Sequence, residues 1–174
     1  MKIFVPLFAL LAVPAAAQDA QVYYASNAWP VQASGQACSM VNAVATEANN
    51  PLTLTYDAAS GEVVLTVESS DISSGLDNNG TLDLAIVFLD NGRVKHDDGW
   101  GQRSFSYTRQ GEVTRFTTRF AGERNVRQIF ADLAASRHIG LLYRGQVISS
   151  TELARAAPSI DQLRECARQT FAAN

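Results

Sequence analysis

The sequence is poor in cysteine and histidine, and its first half carries no positive charge after the N-terminus. Of its 174 residues, two are cysteine and two are histidine. No Lys or Arg occurs between Gln18 and Asp90, although that stretch holds nine acidic residues. So few nitrogen and sulfur ligands argue against a zinc site, and a net charge of −3 argues against nucleic acid as a partner. We therefore expect no metal, no cofactor and no nucleic-acid ligand.

The N-terminus has the pattern of a signal peptide. Lys2 supplies a positive start, residues 3–13 are apolar, and Ala15 to Ala17 match the small-residue cleavage pattern. The apolar run is shorter than the roughly 20 residues that a membrane helix needs. We predict a signal peptide over residues 1–17, export to the periplasm or the medium, and no stable membrane insertion after cleavage.

Both cysteines lie in the part of the chain that would remain after cleavage. In an oxidising compartment an even pair of cysteines usually forms a disulfide, so we predict a bond between Cys38 and Cys166. Such a bond closes a loop that spans most of the mature chain. On the chain-entropy view, a loop of that length stabilises the fold by about 4 to 5 kcal/mol. The alternative is two free, buried thiols.

The second half of the chain has the opposite charge balance to the first. Residues 91–174 hold thirteen basic and eight acidic residues. One interpretation is that the two halves interleave in a single domain and that their charges pair across it. The other is a polarised surface, with a basic patch for an acidic partner.

Alternation of apolar and polar residues predicts antiparallel hairpins through most of the chain. Residues 52–56 and 63–67 pair across a loop of turn-forming residues. Residues 82–89 make the most apolar strand, and the Asn91-Gly92 pair that follows favours a two-residue turn.

The next hairpin can be assigned a register from its side chains. A two-residue turn at Gln110-Gly111 would place Phe105 opposite Phe116 and leave serine and arginine side chains on the other face. Aromatic cross-strand pairs stabilise antiparallel strands, so we predict this register.

Helical spacing of apolar residues appears twice in the last third. The first helix is predicted over residues 123–137, followed by a hairpin that turns at Arg144-Gly145. The second helix is predicted to begin at Ser159, because Ser159 and Gln162 form a capping box, and to bury Phe171 with its apolar stripe.

These elements predict an α+β fold with one domain over residues 29–174. Its sheet is an antiparallel β-meander or a two-layer β-sandwich, and the two helices of the C-terminal half pack on it. Residues 18–28 are predicted to be a flexible lead-in.

One polar cluster could carry chemistry. His96 beside Asp97 and Asp98 could act in acid-base catalysis or bind a divalent metal. Three consecutive loop residues point in different directions, however, and a metal site needs further ligands. The alternative is a solvated turn after a strand, and we assign no catalytic residue.

Basic and aromatic residues suggest a binding surface instead. Arg115 and Arg119 lead an arginine cluster that continues into the first helix, and guanidinium groups suit phosphate or carboxylate. An exposed tryptophan would favour a contact surface. We take Arg115, Arg119, Trp100 and His96 as the candidate binding residues. The alternative for the arginines is a solvated face paired with acids of the first half.

The order of these features resembles a known family. A signal peptide, Trp29, Cys38 followed by Ser-Met-Val, an antiparallel run and a final helix with Cys166 resemble small periplasmic proteins of alphaproteobacteria, including the invasion-associated locus B group. Residues 149–153 and 160–163 are similar to the polar turn and helix that close that domain. The resemblance covers most of the mature chain and implies a non-enzymatic envelope role.

We therefore expect an exported, non-enzymatic binding or interaction module. Its partner would be an unidentified protein or an anionic component of the cell envelope. The alternatives are a periplasmic hydrolase that uses His96 with Asp97 or Asp98, and a proteinaceous inhibitor of a lysozyme-like hydrolase.

Overall fold

This computed structural model describes residues 20–42, 50–72, 75–90 and 93–172, without the side chains of residues 90 and 93–98. These residues form ten antiparallel strands and two helices. The strands are β1 (Gln21–Tyr24), β2 (Val31–Ser34), β3 (Ala37–Val41), β4 (Leu52–Asp57), β5 (Glu62–Ser69), β6 (Asn79–Asp90), β7 (Arg93–Gln110), β8 (Val113–Ala121), β9 (His138–Tyr143) and β10 (Gln146–Glu152). The helices are α1 (Glu123–Ala135) and α2 (Ala156–Ala172). The fold is α+β, as the sequence predicts.

The strands join in one sheet whose order departs from chain order in its second half. The order is β1-β2-β3-β4-β5-β8-β7-β6-β9-β10, and each neighbouring pair is antiparallel. Strand β8 therefore returns from the β7 hairpin to lie beside β5, and it joins the N-terminal strands to the C-terminal ones.

Both helices lie against the same face of the sheet, which we call the inner face. The Phe130 ring of α1 meets the Tyr56 ring of β4 edge-on, with centroids 5.3 Å apart. Helix α2 bonds to β3 through the Cys38–Cys166 disulfide, with the two Cα atoms 6.1 Å apart. This bond confirms the predicted pairing.

The core fills the inner face. Alternate residues of β4, β5, β6 and β8 are buried there, and they pack against Val126, Ile129, Phe130 and Leu133 of α1. The helix prediction for α1 is confirmed, because its apolar residues recur at helical spacing on one side. The opposite side of the sheet, the outer face, carries the polar residues of the same strands.

The sheet curls so that its C-terminal edge returns to β4 and β5. Asn50 donates its backbone N–H to the Ser150 carbonyl at 2.9 Å, and Thr151 Oγ1 donates to the Asn50 carbonyl at 2.8 Å. The Ser69 hydroxyl donates to the Ile148 carbonyl. Edge groups of β10 that would otherwise face solvent are thereby paired.

Three predicted hairpins are confirmed. Strands β4 and β5 pair as expected, with Leu54 opposite Leu65. Asp90 pairs with Arg93 and Leu89 with Val94, which is the predicted register, while residues 91–92 lie outside the described part of the chain. Gln146 pairs with Tyr143 across the Arg144-Gly145 turn.

The register predicted for the β7–β8 hairpin is wrong by two residues. The turn lies at Gly111-Glu112, and Tyr107, instead of Phe105, pairs with Phe116. A shift of two residues keeps every side chain on the same face, so the alternation pattern permits both registers. Gly111 adopts a φ of +65°, which places glycine at the first position of the turn.

The N-terminal segment is more ordered than predicted. Residues 21–24, expected within a flexible lead-in, form β1, because their backbone pairs with β2. Residues 95–98, expected in a loop, belong to the long strand β7.

The predicted start and inner stripe of the last helix also need correction. Helix α2 begins at Ala156, so Ser159 lies inside it and is fully buried instead of capping it. Phe171 is 57% exposed. The helical period places Thr170, and not Phe171, beside the disulfide, where its Oγ1 lies 3.6 Å from Cys38 Sγ.

Candidate functional site

A row of hydroxyl side chains crosses the outer face from β4 to β6. Cross-strand pairing aligns one residue from each of five adjacent strands, which are Thr53, Thr66, Thr117, Ser106 and Thr81. Adjacent strands lie about 4.8 Å apart, so the row repeats a hydroxyl at that spacing. We call this the hydroxyl row.

Two hydrogen bonds order the middle of the hydroxyl row. Thr66 Oγ1 and Thr117 Oγ1 lie 3.3 Å apart, and Ser106 Oγ donates to the Thr117 carbonyl at 3.3 Å. Thr81, at the β6 end of the row, and Ser106 beside it are exposed to solvent. The row therefore presents both donors and acceptors to a ligand that lies on the sheet.

Arg115 and Arg119 lie on either side of Thr117 on the same face. Arg115 donates from Nε and Nη2 to Oε1 of Glu68, at 3.0 and 2.6 Å. Arg119 Nη1 lies 3.3 Å from Oε2 of Glu62. The two arginine side chains remain 56% and 67% exposed. For these two pairs the structure confirms the interpretation that acids of the first half meet bases of the second.

The hydroxyl row ends in a cavity of about 600 Å³ beside β6 and the β9–β10 turn. Its lining consists of Thr81, Leu82, Asp83, Gln102, Ser104, Tyr143 and Arg144. We call it the β6 pocket. Strand β9 pairs with β6 over residues 85–89, so the preceding residues of β6 have β7 on one side and the pocket on the other.

Comparisons with protein-family models, curated proteins and solved structures found no match. The side chains themselves must therefore indicate the function. Among the described residues, no group of three or more His, Cys, Asp or Glu side chains could hold a metal ion. No helix in that same part of the chain is long and apolar enough to cross a membrane.

A second cavity, of about 450 Å³, lies between α2 and the β4–β5 turn. Its lining consists of Tyr56, Ala58, Asp161, Arg164, Glu165, Arg168 and Phe171. Its charges are largely satisfied internally, because Arg168 donates to both carboxylate oxygens of Glu165 at 2.9 and 2.7 Å. The hydrogen bond from Arg168, helped by Gln169, lowers the pKa of Glu165. This cavity lies beside α2, whereas Arg115 and Arg119 lie with the hydroxyl row on the outer face, which we take as the candidate site.

Trp100 lies apart from Arg115 and Arg119. Its ring packs edge-on against Phe88 and Phe120 under α1, with centroids 5.4 and 5.2 Å apart. Its Nε1 donates to Asp132 Oδ2 at 2.8 Å. Trp100 is therefore a structural contact between the inner face and α1, on the opposite side of the sheet from Arg115 and Arg119.

The His96 cluster remains a sequence prediction. The backbone of residues 96–98 runs in β7, while their side chains lie outside the described part of the structure.

Sequence reasoning identified the two arginines but missed the hydroxyl row and the β6 pocket. The alternation of Ser104, Ser106 and Thr108 in β7 predicts a polar strand face, and this is the sequence feature that indicates a polar outer surface. The row itself depends on β8 lying between β5 and β7, which local alternation does not encode.

Proposed function

We propose that this chain is an exported, non-enzymatic binding module that holds a carboxylate-bearing glycan polymer of the cell envelope, such as peptidoglycan, on its outer face. The signal peptide over residues 1–17 would direct it to the periplasm or the medium, where the disulfide persists. Within this proposal both helices lie on the inner face of the curled sheet, so no helix lies between the outer face and its ligand.

The observation that carries the proposal is the placement of Arg115 and Arg119 on either side of Thr117. Each guanidinium is tethered by a glutamate of β5, so less side-chain freedom is lost when a ligand binds. Arg115 uses Nε and Nη2 for Glu68, and within the described residues its Nη1 donates to no protein group. Planar guanidinium donors suit carboxylate oxygens.

The hydroxyl row supports a glycan over a protein partner. A protein contact surface is usually centred on buried aromatic or aliphatic anchors. On the outer face the central positions are Thr66, Thr117 and Ser106, which are hydrogen-bonding groups. Sugar hydroxyls are both donors and acceptors, so they match such a row.

Co-sedimentation with purified peptidoglycan sacculi tests the proposal. We expect the wild-type protein to pellet with sacculi. We expect Arg115→Gln/Arg119→Gln to bind at least about tenfold more weakly, because each lost contact is a charged hydrogen bond. The matched control is Arg124→Gln/Arg127→Gln, which removes the same charge from α1. Arg127 is 66% exposed and pairs with Glu123 there, as Arg119 pairs with Glu62.

Three results would contradict the proposal. The first is a wild-type protein that stays in the supernatant. The second is an equal loss of binding in both double variants, which would indicate a non-specific charge effect. The third is binding to lipopolysaccharide vesicles alone, which would assign the arginines to phosphate. The hydrolase and inhibitor alternatives stay predictions of the sequence.

A further inference from the structure

The β6 pocket combines two kinds of lining. One wall holds polar side chains from β6 and β7, and the other is formed by Tyr143 and Arg144 at the β9–β10 turn. Thr81 belongs both to the pocket and to the hydroxyl row, so the two surfaces are continuous.

The polar wall has hydrogen-bonding capacity that the protein does not use. Thr81, Asp83, Gln102 and Ser104 are exposed, and within the described part of the chain none of their side chains makes a hydrogen bond or ion pair. A carboxylate offers acceptors only, whereas an amide offers both donors and acceptors. Asp83 pairs with Ser104 in the strand register, and Gln102 lies two residues before Ser104 in β7, so the carboxylate and the amide are diagonal neighbours that can bind different hydroxyls of one sugar ring.

The opposite wall is formed by the Tyr143 ring, which is partly buried against the core, and by the Arg144 guanidinium over it. The Arg144 guanidinium lies 4.9 Å from the centroid of the Tyr143 ring. Arg144 and Gly145 both have positive φ, at +51° and +81°, as the tight turn requires. A pyranose presents an apolar C–H face to an aromatic ring, while Arg144 can donate to its hydroxyls or to a carboxylate on it.

We infer that the β6 pocket is a sugar-binding subsite that takes one pyranose unit of a β-linked or α-linked oligosaccharide. Asp83 and Gln102 bind its hydroxyls, and Tyr143 packs against its C–H face. The next units of the chain then lie along the hydroxyl row, beginning at Thr81. The choice of glycan as the ligand rests on the proposed function, but the pocket requires no charge on the sugar.

A cavity of about 600 Å³ lies within the range of roughly 300 to 1,000 Å³ that small-molecule sites occupy, so it is large enough for a single sugar. Because the pocket is open and polar, we expect weak binding of short oligosaccharides, with affinity increasing along the hydroxyl row.

The test is an NMR titration of the 15N-labelled disulfide-bonded protein with three neutral tetrasaccharides: chitotetraose, cellotetraose and maltotetraose. At least one should shift the amide signals of residues 81–83, 102–104 and 143–144. Asp83→Ala and Gln102→Ala should each weaken that binding by about tenfold, the usual effect of one lost hydrogen bond to a bound ligand. Tyr143→Phe should retain most of the binding, because the ring remains.

The matched control is Gln32→Ala, which removes an exposed glutamine from β2, outside the pocket. Its binding should equal that of the wild-type protein. Overlap of the variant spectra with wild type outside the substituted site shows that each variant is folded. If a folded Asp83→Ala or Gln102→Ala protein binds as tightly as Gln32→Ala, the assignment is wrong.

The outcome separates this inference from the proposed function. If none of the three tetrasaccharides shifts the pocket residues, the subsite is rejected, even where sacculi still bind through Arg115 and Arg119. If a tetrasaccharide binds at the pocket but sacculi do not sediment with the protein, the subsite stands and the proposed envelope ligand fails.

Discussion

Cys38 of β3 and Cys166 of α2 form a disulfide, and both residues are fully buried between the sheet and the helix. Cys38 also lies opposite Tyr56 of β4 in the strand register. The bond therefore fixes α2 against the N-terminal strands, 128 residues away in sequence. Strand β3 and helix α2 share one core, and the bond links them covalently.

We expect loss of this bond to release α2 before the rest of the fold. In Cys38→Ala/Cys166→Ala, amide hydrogen exchange should rise most in α2 and β1 to β3, while α1 and β6 to β8 keep their protection. The free energy of unfolding should fall by up to about 4 to 5 kcal/mol in urea melts. Equal exchange in both helices would contradict this, and reduced wild-type protein should behave as the variant does.

A second prediction concerns Ser159, which the sequence assigns to a helix cap. In the structure its hydroxyl is buried in α2 and makes no hydrogen bond within the described residues. An unpaired buried hydroxyl is destabilising, and alanine is the best helix former. Ser159→Ala should therefore raise the free energy of unfolding by about 1 kcal/mol. A capping serine would give the opposite sign, a loss of about 1 kcal/mol.

Urea melts followed by far-UV circular dichroism measure this difference. Ser60→Ala, an exposed change in the β4–β5 turn, serves as the control and should leave stability nearly unchanged. A clear loss of stability in Ser159→Ala would restore the capping interpretation.

The third prediction concerns the contact between Trp100 and α1. Trp100→Phe keeps an aromatic ring against Phe88 and Phe120 but removes the hydrogen bond to Asp132. Asp132 retains the donor from Gln128 at 2.7 Å, so the carboxylate is not left unpaired. We expect a loss of about 1 to 2 kcal/mol. A double-mutant cycle with Asp132→Ala should give a coupling energy near 1 kcal/mol. A coupling of zero would show that the bond is absent in solution.

The fourth prediction is that the ion pairs of the outer face contribute little to stability. Glu68 and Arg115 are 30% and 56% exposed in their side chains, and exposed pairs are typically worth about 0.2 to 1 kcal/mol. A double-mutant cycle of Glu68→Gln and Arg115→Gln should give a coupling in that range, reduced by added salt. A coupling above about 2 kcal/mol would mean that these arginines serve the fold more than a ligand.

Local patterns in the sequence predicted local structure well. The hairpins β4–β5, β6–β7 and β9–β10, helix α1 and the disulfide match what alternation, helical spacing, turn residues and the presence of only two cysteines predict. The β7–β8 register was wrong because Phe105 and Tyr107 are both aromatic and share a face, so both registers satisfy the pattern. The start of α2 was misplaced because a Ser-x-x-Gln motif inside a helix looks the same as one at its start.

The sequence by itself determined which residues are buried along most strands, where α1 lies, and that Cys38 would bond to Cys166. Only the tertiary structure decided that β8 inserts between β5 and β7. That placement brings Arg115 to Glu68, 47 residues earlier, and aligns Thr66, Thr117 and Ser106 in one row. Alternation is a property of each strand alone, whereas the choice of neighbouring strand depends on how the whole sheet buries its inner face. The candidate site depends on that choice, so it could not be derived from the sequence.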